Sequence, residues 1–404
     1  MASSALATNR SLSEDSQKTT IEQPETEKTL FPFLDLKAQF AGIKDEIFRA
    51  ITRVVEAQKF ILGDEVRAFE SETAKYIGTQ AAVGCASGSD ALLLALWALG
   101  IGPGDEVITT PFTFVATAGA IARMGAKPVF IDIRPDSLNL DSNQIEQVIT
   151  ERTRAIIPVH LFGLAADMHA VMGLARAKNL AVIEDAAQAI GARYKNTPVG
   201  SFGVFGCFSF FPSKNLGAAG DGGLITTNDK QLAQRLRLLR VHGSRQKYQY
   251  EILGMNSRLD SLQAAILRVK LGYLDAWTRG RQQKAAFYRQ LFREFELHSA
   301  VSLPHVSNDC VHVYNQFVIR CIERDSLREF LQKQGIPTEI YYPKPLHLQP
   351  AFTYLGYKQG QLPEAEAASR EALALPIYPE LTTEHQAEVV RGIAKFYETR
   401  RHYY

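Results

Sequence analysis

Short apolar runs alternate with helical segments over the first two thirds of the chain, and this alternation limits the possible folds more than any other feature. Seven runs have the length and the β-branched or aromatic content of strands, and they are "AAVGCA", "DEVITT", "KPVFIDI", "RAIIPVHLF", "LAVIEDA", "FGCFSFF" and "GGLITTN". Segments with helical character, such as "SDALLLALWALG" and "DMHAVMGLARAKN", lie between several of them. Apolar strands that alternate with helices are typical of an α/β sheet covered on both faces. The sequence therefore predicts such a sheet with seven strands.

The pattern changes after about residue 260, where a long helical stretch is followed by an alternating strand, "VHVYNQFVIRC", and by two helices, "EAEAASREALAL" and "TEHQAEVVRGIAKFYETRR". This part predicts a smaller α+β domain. The N-terminal segment is rich in Ser, Thr and Glu and has no aromatic residue, which is typical of disorder. We therefore predict a disordered tail over residues 1–30, a large domain over 31–265 and a small domain over 266–404.

Charge and residue spacing count against several classes of protein. The formal net charge is only +2, so no overall field favours nucleic acid or an acidic membrane as a partner. No apolar run approaches the roughly 20 residues that cross a bilayer. The four cysteines form no Cys-x-x-Cys pair, and the nine histidines show no metal-ligand spacing. We expect a cytoplasmic protein with reduced thiols and no metal.

Ligands of an α/β sheet bind at the carboxyl ends of its strands, and the first unusual feature lies at such an end. The first predicted strand runs through Ser87-Gly88-Ser89 into a strongly apolar helix. The free N–H groups at a helix N-terminus attract phosphate, and glycine allows close approach of the backbone. An ordinary cap by Ser89 or Asp90 explains the same residues, so both readings stay open here.

The second feature is a pair of acidic residues, Glu184 and Asp185, directly after an apolar strand. At least one of their carboxylates lies at the strand end, where it either caps the following segment or has a functional role. The third is Lys214 in "FSFFPSKNLGAAGDGG", where the lysine precedes the glycines, so this is not a Walker A loop, and a Rossmann Gly-x-Gly-x-x-Gly is absent. A lysine and a carboxylate at strand ends are what pyridoxal phosphate needs, since it binds lysine covalently and its ring nitrogen needs an acidic partner. One cofactor thus accounts for all three features.

These residues resemble a known family. The runs "CASGSDALLLAL", "PFTFVATAGAI", "VIEDAAQAIGARY", "VGSFGVFGCFSFFPSKNLGAAGDGGLITTND" and "GMNSRLDSLQAAIL" are similar to the DegT/StrS family of pyridoxal-phosphate sugar aminotransferases, over about residues 31–398. The resemblance implies the aspartate aminotransferase fold (fold type I), with a mainly parallel seven-stranded sheet, a smaller C-terminal domain, and a homodimer whose active sites are shared at the interface.

The resemblance also implies roles around the cofactor ring. Lys214 matches the lysine that forms the Schiff base, and Asp185 matches the partner of the pyridine nitrogen. Gln188 matches a residue near the ring and its hydroxyl, and Phe114 matches the aromatic residue that stacks on the ring.

Four further residues match the phosphate-binding positions of the family. Gly88, Ser89 and Ser209 belong to the same subunit as the lysine. Asn256 matches a ligand that the family supplies from the neighbouring subunit, although the residues alone favour a plain polar turn before a helix.

The implied reaction transfers an amino group from glutamate, which leaves as 2-oxoglutarate, to C3 of a nucleotide-linked keto sugar, with dTDP and UDP both open. "YYPKPLHLQPAF" resembles the sugar pocket, so Tyr341, Tyr342 and His347 are either sugar contacts or packing residues. The alternatives are a C4 or a scyllo-inosose aminotransferase and, from another class, a non-catalytic homologue that senses cofactor or sugar.

Overall fold

A computed structural model describes residues 29–400, so all but the last two residues of the predicted tail lie outside the described part of the chain. The described α-helices are α1 (Leu36–Ala41), α2 (Lys44–Ala57), α3 (Asp64–Ile77), α4 (Gly88–Ala98), α5 (Ala116–Arg123), α6 (Ile145–Val148), α7 (Met168–Ala177), α8 (Lys230–Leu239), α9 (Ser261–Leu271), α10 (Leu274–Glu294), α11 (Arg324–Lys333), α12 (Pro363–Glu371) and α13 (Thr383–Glu398). Short 3₁₀ helices occur at Ser142–Gln144, Leu161–Gly163, Leu297–Ser299, Leu346–Leu348 and Pro350–Leu355.

The described strands are β1 (Ala81–Cys85), β2 (Glu106–Thr109), β3 (Lys127–Phe130), β4 (Thr153–Ile156), β5 (Ala181–Asp185), β6 (Arg193–Tyr194), β7 (Thr197–Pro198), β8 (Phe205–Ser209), β9 (Gly223–Thr227), β10 (Ser244–Gln246), β11 (Gln249–Tyr250), β12 (Val301–Ser302), β13 (Cys310–Val311), β14 (Phe317–Cys321) and β15 (Ala372–Leu375).

The seven predicted strands form one sheet, in the order β1-β9-β8-β5-β4-β2-β3. Strands β3, β2, β4, β5 and β8 are parallel neighbours, whereas β9 runs antiparallel to both β8 and β1. The mixed, mainly parallel sheet is therefore confirmed. Because β1, β2, β5 and β8 point the same way, their carboxyl ends meet at one edge of the sheet.

Helix α4 is central to the large domain because it is apolar on nearly every side. Seven of its eleven residues are buried, and its leucines join the β-sheet side chains Val83, Ile183 and Phe205 in one core cluster. A helix that is apolar all round has to be buried. This burial fixes the start of α4, at Gly88, against the sheet edge where the strands end.

The C-terminal part folds around a three-stranded sheet in the order β12-β14-β15. Tyr288 of α10, Phe317 of β14 and Val390 of α13 are among the residues of its core. The predicted division between residues 265 and 266 falls within α9, and the domain limits stay a prediction.

Two elements of this part differ from the sequence-based expectation. "ALAL" ends a predicted helix, but it forms β15, because these four fully buried residues pair with β14 in the small sheet. The predicted strand "VHVYNQFVIRC" is divided into β13 and β14, and residues 312–316 between them pack on the large domain instead. Among the described residues, no helix is both long and apolar enough to cross a membrane.

Candidate active site

Lys214 lies in the loop that leaves β8, beyond the carboxyl end of that strand. Its backbone N–H donates to the Phe211 carbonyl (2.8 Å), which closes a tight turn around Pro212. The side chain is half-buried, and burial lowers its pKa from 10.5 to about 8, while the negative charge of Asp185 acts in the opposite direction. An amine with such a pKa is partly neutral near physiological pH, so it can act as a nucleophile or a base.

Asp185 ends β5 at the same edge of the sheet and is 5% exposed. Its Oδ2 accepts a hydrogen bond from the Thr117 hydroxyl (2.7 Å), and its Oδ1 accepts one from the Ala187 N–H (3.2 Å). Burial raises the pKa of this carboxyl group above its usual value, whereas these two hydrogen bonds and the charge of Lys214 favour the ionised form. A cationic partner would therefore stabilise the ionised form of Asp185.

A candidate cradle for an anion lies where the start of α4 meets the end of β8. Ser87, and not the expected Ser89 or Asp90, caps α4, since its hydroxyl accepts from the Asp90 N–H (3.1 Å). A side chain on Gly88 would place its Cβ 2.6 Å from the Cβ of Ser209, so only glycine allows this close approach. The structure thus brings Gly88 close to Ser209, with Ser89 the next residue in the first turn of the helix, where phosphate is favoured.

Gln188 and Tyr342 line the same region. The Gln188 Oε1 accepts a hydrogen bond from the Phe162 N–H (2.6 Å), and its Nε2 donates to the Tyr342 hydroxyl (3.4 Å). Phe114 is 57% exposed, next to the helix that carries Thr117. An aromatic ring of this exposure is free to stack on a flat ligand.

The three candidate sugar contacts have different surroundings. Tyr341 and Tyr342 are half-buried, and burial raises the pKa of both hydroxyl groups. His347 is 1% exposed, and its Nε2 lies 3.2 Å from Oε1 of Glu366. Since this imidazole packs inside the protein, its role as a sugar contact stays a prediction that the geometry does not support.

Asn256 is exposed, but the residue after it is anchored. The hydroxyl of Ser257 donates to Asp90 Oδ2 (2.7 Å) and accepts from the Ala86 N–H (3.2 Å). The segment of Asn256 is thereby attached to the start of α4. Its role in a neighbouring subunit stays a prediction.

Sequence reasoning missed Thr117 and Ser257. Thr117 is fully buried, and the available signal was a lone hydroxyl within the small and apolar residues of "FVATAGAIA". Ser257 gave no comparable signal, because a serine in a polar turn is ordinary.

The residues at this edge fit pyridoxal phosphate. Lys214 offers an amine of lowered pKa, Asp185 a carboxylate short of partners, and the Gly88–Ser209 contact a cradle that any side chain on Gly88 would fill. These are the three functions that the aldehyde, the ring nitrogen and the phosphate of this cofactor require.

Comparison with known proteins supports the same conclusion. A profile of the DegT/DnrJ/EryC1/StrS aminotransferase family matches residues 41–394. The "Pleiotropic regulatory protein" of Geobacillus stearothermophilus is 54% identical, covering 91% of this chain and 98% of that protein. The UDP-N-acetyl-3-dehydro-alpha-D-glucosamine 3-aminotransferase of Acidithiobacillus ferrooxidans is 48% identical, covering 92% and 99%. The crystal structure of S. venezuelae DesV in complex with a ketimine intermediate is similar with a TM-score of 0.88 at 44% identity, covering 92% and 99%.

Proposed function

The chain belongs to the DegT/DnrJ/EryC1/StrS aminotransferase family, and from this premise we propose that it transfers an amino group from glutamate to the C3 keto group of a nucleotide-linked keto sugar. It is a pyridoxal-phosphate-dependent aminotransferase, as the family is. The observation that carries the proposal is the position of Lys214, whose pKa is about 8, at the same edge of the sheet as Asp185. Asp185 is a buried carboxylate with only two hydrogen-bond donors.

Each side chain has a defined task in this reaction. Lys214 would hold the cofactor covalently, and its amine of lowered pKa is suited to move a proton on and off the carbon that bears the substrate amine. Bound pyridoxal phosphate supplies an electron sink for the negative charge that develops on this carbon. Asp185 would keep a proton on the ring nitrogen of the bound cofactor, because a buried carboxylate stabilises the cationic form of a neighbouring base.

Other residues would bind and orient the cofactor and the sugar. Gly88, Ser89 and Ser209 would hold the phosphate, Phe114 would stack on the ring, and Gln188 would lie near its hydroxyl. We propose that Asn256 completes the phosphate site of the partner subunit in a homodimer, and that Tyr341 and Tyr342 contact the sugar. We also propose that the enzyme is located in the cytoplasm, where it would meet nucleotide sugars.

The C3 assignment is supported by the name of the Acidithiobacillus relative, which acts on a 3-dehydro sugar. Incubation with glutamate and a panel of UDP- and dTDP-linked 3-keto and 4-keto sugars, and with scyllo-inosose, tests it by mass spectrometry of the aminated product. We expect amination of a 3-keto sugar. Amination of only a 4-keto sugar or only scyllo-inosose would exclude the C3 assignment.

The covalent role of Lys214 has its own test. Borohydride should fix the cofactor to the wild-type protein and not to Lys214→Ala, while Lys195→Ala, which changes an exposed lysine, should behave as wild type. Cofactor fixed to the Lys214→Ala variant would show that another residue is the anchor.

The Geobacillus relative carries a regulatory name, so a sensor without catalysis is the second candidate. Such a protein would bind the cofactor and convert none of the sugars at any substrate concentration. The intact set of Lys214, Asp185 and Ser209 favours the enzyme.

A further inference from the structure

The residue after the lysine, Asn215, ties the catalytic loop to a distant part of the chain. It is 4% exposed, and its Nδ2 donates to the Val313 carbonyl (2.9 Å). A carbonyl can only accept, so this contact fixes which end of the amide is the donor. The Oδ1 of Asn215 consequently faces Asn315, whose Nδ2 donates to it (2.9 Å).

Asn315 continues the connection toward the other side of the site. Its backbone N–H donates to the Phe162 carbonyl (2.9 Å), and the Phe162 N–H donates to Gln188 (2.6 Å). Phe162 has a left-handed backbone with φ of 57°, which is costly for a residue with a side chain. Phe162 bonds through both its N–H and its carbonyl, so hydrogen bonds run from Gln188 to the residue beside Lys214.

The bonds on the other side of the loop come from α9. Lys270 Nζ donates to the Gly217 carbonyl (2.6 Å), and Gln263 Oε1 accepts from the Ala219 N–H (2.8 Å). These contacts hold the loop beyond the lysine. Asn215 holds the position next to it.

One polar atom of the amide pair has no partner among the described residues. Asn315 is 6% exposed, and no residue of the described chain bonds to its Oδ1. A buried acceptor without a donor lowers stability, so the bond between the two amides comes at a cost to the folded state.

We infer that Asn215 and Asn315 are positioning residues, which hold Lys214 against the Gln188 side of the active site and keep its amine out of water. The inference rests on the proposed function of Lys214. Neither asparagine touches the reacting atoms. Residues 312–316, which connect β13 to the small-domain strand β14, thereby help to position the catalytic lysine.

Asn315→Leu tests this, because it keeps the volume and removes the hydrogen bond. The first measurement needs no cofactor: acetic anhydride labels lysines of the cofactor-free protein at a series of pH values, and mass spectrometry gives the pKa of Lys214. Burial lowers this pKa to about 8, so a lysine that regains water should titrate about one unit higher. In the holoenzyme, we expect kcat to fall about tenfold while KM for glutamate stays within about twofold, since orientation and not binding is lost.

Asn139→Leu is the matched control. Asn139 is 2% exposed, and its side chain accepts from the Leu161 N–H (3.0 Å) and donates to the Leu164 carbonyl (3.1 Å), so it flanks Phe162 without touching the lysine loop. It should lower the melting temperature without moving the pKa of Lys214. Asn215→Leu should raise this pKa at least as much as Asn315→Leu does, since it also removes the bond to the Val313 carbonyl. The double variant should add little to Asn215→Leu, because both single changes remove the bond between the two amides.

The inference is overturned if Lys214 titrates in Asn315→Leu as it does in wild type and in the Asn139 control. Asn315→Ala, which is smaller and adds no bulk, takes its place if the leucine variant does not fold. Failure of borohydride to fix the cofactor to wild type would overturn the proposed function instead, and the labelling measurement would still decide whether the amide pair positions Lys214.

Discussion

Glu184 and Asp185 are successive residues at the end of β5, and the surroundings of their carboxylates on the two sides of the sheet are opposite in kind. Glu184 is fully buried and accepts four hydrogen bonds, from the N–H groups of Gly200 (2.7 Å), Phe202 and Gly203 (both 2.8 Å) and from the His160 ring (3.0 Å). Asp185 is nearly as buried, but it accepts from only one hydroxyl and one N–H.

The number of donors separates a structural carboxylate from a functional one. Four donors satisfy both oxygens of Glu184, including the Nε2 proton of His160, whose Nδ1 accepts from the Ala166 N–H. This carboxylate holds the turn before β8 and has no capacity left for a ligand. Asp185 has both buried charge and unused acceptor positions, which a protonated ring nitrogen would fill.

The largest effect expected from this difference is on catalysis. Asp185→Asn keeps the shape and removes the charge, so the ring nitrogen would lose the carboxylate that we propose keeps it protonated. We expect kcat to fall about 10³-fold, which corresponds to about 4 kcal/mol. Single-turnover rates of amine transfer from glutamate, followed by the cofactor spectrum, measure it.

Asp309→Asn, at an exposed residue, is the control for the loss of one negative charge and should leave kcat unchanged. A full rate in Asp185→Asn would mean that the ring nitrogen needs no acidic partner and that Asp185 has no role in the reaction.

Glu184→Gln should act on stability. The new amide NH₂ faces donors that previously met an oxygen, so at least one buried N–H loses its partner. We expect the free energy of unfolding to fall by about 3 kcal/mol, measured by urea denaturation, while kcat per folded, cofactor-loaded molecule stays within a few-fold. A loss of kcat as large as that of Asp185→Asn would show that both carboxylates serve the reaction.

The sequence located this pair but could not assign the two roles. Successive residues of a strand point to opposite faces, and which face meets the site depends on strand order and on where α5 packs. The strands themselves were predictable, because each is a local apolar run. The Asn215–Asn315 bond was not, since it joins residues 100 positions apart and the alternation of "VHVYNQFVIRC" favours a strand through Asn315.

Thr117 allows a finer test of the functional carboxylate. Thr117→Val removes the hydroxyl that donates to Asp185 and keeps the side-chain shape, so the ionised form of Asp185 loses one of its two hydrogen bonds. We expect kcat to fall about tenfold, since a hydrogen bond to a charged group contributes about 1.5–3 kcal/mol and water can replace part of it. Thr117→Ser restores the donor and should recover most of the rate, and equal rates for the valine and serine variants would contradict the assignment.

The smallest expected effect is on stability, where Asp185→Asn should stabilise the protein without cofactor and destabilise it with cofactor. Burial raises the pKa of Asp185 in the folded protein above its usual 3.8. Between these two values the folded state binds more protons than the unfolded state, so its stability is highest below the usual pKa and falls as the pH rises through the raised one. The charge of Lys214 reduces this loss but does not cancel it, because burial is the larger cause.

Asn does not titrate, so the cofactor-free Asp185→Asn protein should be more stable than wild type by about 1 kcal/mol at neutral pH and about equal to it under acid conditions. Urea denaturation of both proteins as a function of pH measures the difference. With cofactor bound, the charge of Asp185 gains its partner and the order should reverse, whereas Glu184→Gln should be destabilising with and without cofactor. If removing a carboxylate stabilises the cofactor-free protein and destabilises the cofactor-bound protein, that carboxylate serves the ligand. If Asp185→Asn is less stable than wild type in both states, Asp185 is a structural residue like Glu184.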